Sequence, residues 1–138
     1  MVNETHPEED YYPTLVAWLH GQGCRARSHV PLMSRVMDVA AVTESQEIWA
    51  FEVKLNDWRR GLRQAERYLL GADRSYLVVP PKLASRVQAS RFDLEAQGVG
   101  LVLLAYGGVP EFVLPAARSR YAVPDLRGHV LSLVMSEA

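Results

Sequence analysis

With 138 residues, 49% of them apolar, the chain has the length and composition of one globular domain spanning residues 1–138. No segment is long and apolar enough to cross a bilayer, and Met1–Asp10 lacks the basic start and apolar run of a secretory signal, so a cytoplasmic protein without a membrane partner is expected. Cys24 is the only cysteine, which excludes an intrachain disulfide or a cysteine-rich zinc site, and a net charge of −1 leaves any attraction to nucleic acid to a local basic patch.

The chain opens with a helix expected over about residues 8–22, with Leu15, Val16 and Leu19 as its apolar stripe and Gly21 and Gly23 as its stop. Strands follow at about 25–31 and 35–43, the second being a nearly unbroken run of small apolar residues around Asp38. A third, at about 47–55, pairs with the second through a turn near Glu44-Ser45-Gln46. Asn56 or Asp57 can cap a helix reaching about Leu70, on which Trp58, Leu62, Ala65 and Leu69 recur at helical spacing and face the sheet. Beyond it come a strand at 75–79, a helix at about 81–97, strands at 99–105 and 111–114 and a last helix at about 125–135. The order is α-β-β-β-α-β followed by α-β-β-α. Strands this apolar suit a mixed α/β sheet flanked by helices on both faces.

In the third strand, alternation puts Glu52 and Lys54 on one side and Trp49, Phe51, Val53 and Leu55 on the other. Alone, Glu-x-Lys is the ordinary pair of a solvent face. Asp38 adds weight, because a mid-strand carboxylate among Val36, Val39, Ala40 and Val42 needs a partner. That partner is either a backbone donor or arginine, or else a cation shared with Glu52, which a hairpin register can bring alongside. Oxygen-only ligands favour Mg²⁺ or Mn²⁺, held by Asp38, Glu52 and the Val53 carbonyl, with Lys54 orienting a water or stabilising charge on a phosphate. The scarcity of lysine, Lys54 and Lys82 being the only two, makes the position of Lys54 more telling.

Asp38, a turn, and then Glu52-Val53-Lys54 resembles the signature of the PD-(D/E)xK nuclease superfamily, whose restriction-endonuclease-like fold has an α-β-β-β-α-β core. Gln64-Ala65-Glu66-Arg67-Tyr68 is similar to the Q-x-x-x-Y motif of its exonuclease-like branch, and Met37 stands where the name-giving proline would be. The resemblance implies an acidic residue on the first helix, best matched by Glu8 and next by Glu9, as a further metal oxygen and catalytic group. It also implies that Gln64 supports the metal site or binds a phosphate. Helical spacing puts Arg60, Gln64 and Tyr68 on one row and Arg59, Arg63 and Arg67 on the next, a surface able to follow a nucleic-acid backbone. His6, His20, His29 and His129 have no ligand spacing.

The expectation is a Mg²⁺- or Mn²⁺-dependent nuclease acting on duplex or branched DNA, for which the resemblance favours a homodimer. The alternatives are a binding or interaction module that kept the fold without the chemistry, or a nuclease directed at RNA.

Overall fold

The computed structural model describes residues 6–136. Its centre is one six-stranded sheet in the order β1 (Arg25–Leu32), β2 (Arg35–Val42), β3 (Ile48–Val53), β4 (Arg74–Val79), β5 (Val99–Leu103) and β6 (Glu111–Leu114). The first two pairings are antiparallel, β3–β4 and β4–β5 are parallel, and β5–β6 is antiparallel. This is the mixed sheet that the apolar strand runs imply.

Helix α1 (Tyr12–Gly21) covers one face, where Leu15 and Leu19 pack on Val39, Ala41, Phe51, Val53, Tyr76 and Val78. The other face is shared. Helix α2 (Trp58–Arg67) lies with α3 (Ala84–Ala89) and α4 (Arg91–Gln97) over Leu77, Val79, Val99 and Leu101. Helix α5 (Pro124–Met135) presses Val130 and Val134 onto Val30, Met37, Ala40 and Ile48. Both sides of the central strands are therefore buried, and their alternation is correspondingly weak. The expected core order is present.

Three helices depart from expectation. The first begins as a 3₁₀ turn, Glu8–Tyr11, and becomes α-helical only at Tyr12. Pro13 explains this, because its missing N–H is harmless in the first turn of a helix and disruptive further in. The helix expected over residues 81–97 is a 3₁₀ turn, Pro81–Leu83, then α3 and α4, separated where Ser90 (φ −106°, ψ 25°) leaves helical geometry. Asp57 caps α2, accepting from the Arg60 N–H at 3.4 Å. That helix is α-helical only to Arg67 and reaches Leu70 as a 3₁₀ turn, Tyr68–Leu70; the remaining boundaries agree within two residues.

Candidate active site

The β2–β3 hairpin pairs Val39 with Phe51 and Ala40 with Ala50, a register that leads Asp38 toward Glu52. Alternation slips at this point. Met37 packs with Ala40 and Val42, although it is an odd number of residues from both. Asp38 sits at the slip, opposite His29, whose φ of 58° breaks the regularity of β1. Its Oδ2 accepts the Val53 N–H at 2.7 Å, and its carboxylate also takes the Tyr12 hydroxyl from α1. Glu52, 3% exposed, is held from the other face, where the Tyr68 hydroxyl lies 2.5 Å from its Oε1 and 3.1 Å from the Val36 carbonyl. A tyrosine from each layer thus fastens one carboxylate.

Burial beside one another favours the protonated form of both acids. Burial, followed by the neighbouring Asp38 charge, pushes Glu52 from 4.5 up to about 8, while Tyr68 and Lys54 pull it down. Burial also raises Asp38, against the Val53 amide, Tyr12, the Glu52 carboxyl and Lys54. Burial and these same carboxylates raise Tyr12 and Tyr68, so both phenols stay protonated as donors. When Glu52 carries the proton, the Tyr68 hydroxyl is free to donate to Val36; when Glu52 is ionised, the hydroxyl donates to it.

Lys54 stands between acids, its Nζ 3.5 Å from Glu52 Oε2 and 4.0 Å from Glu8 Oε1. Glu8 also accepts the Leu55 N–H at 3.2 Å, which ties the 3₁₀ turn to the end of β3. Helix α2 approaches closely here. A Cβ on Gly61 would lie 2.4 Å from Lys54 Cγ and 2.9 Å from Leu77 Cδ1, so only glycine fits. One turn along α2, the Gln64 side-chain carbonyl is buried without a hydrogen-bond partner.

No family profile and no curated protein matches the chain. Among solved structures, a protein of unknown function from Silicibacter pomeroyi superposes with a TM-score of 0.73 at 18% identity, covering 97% of this chain and 87% of the other. A repair endonuclease from Pyrococcus abyssi superposes with a TM-score of 0.53 at 19% identity over 76% of this chain, which spans 50% of that protein. The fold is shared with a repair endonuclease. At such identities the likeness concerns the fold alone.

Apart from Gln64, the expected residues divide into three groups. Asp38, Glu52, Val53, Lys54 and Glu8 come together beside the C-terminal end of β3. Tyr68, expected to touch nucleic acid, is instead buried at 2% exposure and bonded to Glu52, because the end of α2 folds down onto the sheet. Arg59, Arg60, Arg63 and Arg67 are exposed on α2, Arg59 resting 4.4 Å over the Trp58 ring.

The donor set fits a hard divalent cation. Two adjacent buried carboxylates whose charged forms are disfavoured would be neutralised by a cation, and the orphaned Gln64 oxygen needs a donor such as an ordered water. Among the described residues no three His, Cys, Asp or Glu side chains gather as a ligand set. The side-chain oxygens on offer are therefore those of the pair, a number suited to Mg²⁺, which keeps several of its waters. Glu8, expected as a metal oxygen, is engaged by Leu55 and Lys54. The sequence reading missed Tyr12, whose only signal is its position four residues beyond Glu8, on the same side of a helical turn.

Proposed function

We propose that the protein is a divalent-metal-dependent nuclease hydrolysing phosphodiester bonds in DNA. The observation carrying this is the buried Asp38–Glu52 pair with Lys54 at 3.5 Å, on a fold shared with a repair endonuclease.

Asp38 and Glu52, with the Val53 carbonyl, would hold Mg²⁺ or Mn²⁺, which when bound polarises a phosphate and acidifies a water. The chain's own residues do the rest. Tyr12 and Tyr68 fix the carboxylates, and the hydrogen bond from Val53 to Asp38 keeps the two strands in register. The Lys54 ammonium, held by Glu52 and Glu8, orients the attacking water and stabilises charge growing on the phosphoryl oxygens. Hydrolysis forms one P–O bond to water oxygen and breaks one to the leaving oxygen, which takes up the proton that the water gives up. Gln64 positions a water or a phosphate oxygen, and the exposed arginines of α2 follow the nucleic-acid backbone. Cutting both strands of a duplex would take two such sites, hence a homodimer.

The test is cleavage of duplex, branched and single-stranded DNA, with RNA alongside, in Mg²⁺ or Mn²⁺. Activity should vanish with chelator and fall by at least about 100-fold in Lys54→Ala, the scale of losing one preorganised electrostatic contact. Preference for RNA would reassign the substrate. Absence of cleavage together with absence of Mn²⁺ binding would leave a binding module.

A further inference from the structure

Beside the candidate active site, a cleft of about 710 Å³ opens between the 3₁₀ turn and the ends of the parallel strands. Its lining includes Leu55 and Asn56 beyond β3, Pro80 and Lys82 beyond β4, and Tyr106 beyond β5. These segments converge because the ladder continues past the strands, with the Lys54 N–H donating to Val78 and the Leu104 N–H to Val79. Crevices at the carboxyl ends of parallel strands are where α/β sheets bind ligands, and the volume lies within the roughly 300–1,000 Å³ of small-molecule sites. Glu8 lines the cleft too, so it borders both this space and Lys54.

The lining has an aromatic platform. Tyr106 stacks on His6 with ring centroids 3.5 Å apart and planes at 1°, and its other contact is edge-on with Tyr11 at 5.8 Å. It is nevertheless 53% exposed. An exposed ring held flat by stacked and edge contacts is a surface for another flat ring. Lys82, exposed on its 3₁₀ turn, supplies a cation at the same cleft, while the negative charge of Glu8 is already met by Lys54 and the Leu55 amide.

We infer that this cleft is a nucleotide subsite, in which Tyr106 stacks an unpaired base and Lys82 meets the adjoining phosphate. The inference rests on the nuclease reading and specifies its substrate class. A base inside a duplex has both faces covered by its neighbours, so only a base outside the stack can lie on Tyr106. The preferred DNA therefore carries an unpaired nucleotide next to the scissile phosphate, as in a single strand or a splayed end.

Binding without turnover tests this in the Lys54→Ala protein, using dye-labelled oligonucleotides that are either blunt duplexes or carry an unpaired end. The unpaired end should bind more tightly than the blunt duplex. Tyr106→Ala should weaken it about 5- to 100-fold, the range for one lost base–aromatic stack, and leave blunt-duplex binding unchanged. Tyr106→Phe, which keeps the ring, should retain tight binding and so excludes misfolding as the cause. Lys82→Ala should reduce the salt dependence by about one phosphate contact. Equal binding by Tyr106→Ala and its parent overturns the subsite. If the unsubstituted protein still cleaves DNA in Mg²⁺, the nuclease reading survives that result; if it neither cleaves nor binds, both fall.

Discussion

At the scale of single residues, the site is organised by the cost of burying two carboxylates together. Asp38 meets a backbone amide and a phenol, and Glu52 meets a phenol and an ammonium, yet Glu52 still titrates at about 8. The consequence for stability has a definite sign. The folded chain keeps this proton up to about pH 8, whereas the unfolded chain releases it near 4.5, so the metal-free fold loses stability as pH rises between those values. Asp38, also raised, adds in the same direction. Glu52→Gln, of equal shape and no charge, should flatten this dependence. In urea denaturation with chelator present, the variant should match the parent near pH 4.5 and exceed it by roughly 2–5 kcal/mol at pH 8. A steeper loss in the variant would refute the raised titration of Glu52.

Among the elements, the relation of α2 to β3 matters most. The helix brings Trp58, Leu62 and Ala65 to the sheet, lays Gly61 against the Lys54 stem, and ends so that Tyr68 reaches Glu52. Gly61 is thus a helix-interior glycine kept for close approach rather than for flexibility. Gly61→Ala gains about 1 kcal/mol of helix propensity but meets atoms on two sides, and overpacking of this kind costs about 1–3 kcal/mol. A lower melting temperature is expected. Cleavage should fall about 10- to 100-fold as Lys54 is displaced from Glu52, which the ratio of kcat to KM reports. Hydrophobic spacing identified the apolar stripe of α2, and the capping role of Asp57 was readable too. The break at Ser90 and the 3₁₀ start at Glu8 were harder to read, because apolar periodicity continues across both while a single backbone torsion decides the boundary.

The whole molecule is fastened at Asp73, between α2 and β4. Its carboxylate, 5% exposed, accepts the Ile48 N–H at 2.7 Å and the Nε and Nη2 hydrogens of Arg127 at 3.0 and 2.8 Å, while Arg127 also donates to the Gln46 carbonyl. Turn, sheet and α5 meet there. Arg127→Ala would leave a buried charge on one amide and should cost about 2–4 kcal/mol, measurable as a lower denaturation midpoint. If α5 merely rests on the sheet, the loss will be under about 1 kcal/mol.

By itself the sequence determined the order of helices and strands, the burial of the sheet on both faces and the face shared by Glu52 and Lys54, because these follow from local periodicity and strand alternation. It also singled out Asp38, since a lone carboxylate in an apolar strand demands a partner wherever the strand is placed. Only the tertiary structure decided what that partner is. Tyr12 and the Val53 amide reach Asp38, Tyr68 turns inward to Glu52 rather than outward, and Asp73 and Arg127 join across the fold. The cleft beyond the strands, with Lys82 brought to it on a 3₁₀ turn and Tyr106 on a separate turn, was likewise out of reach. Such contacts join residues 15 to 54 positions apart, where chain packing and register, not local pattern, set the distances.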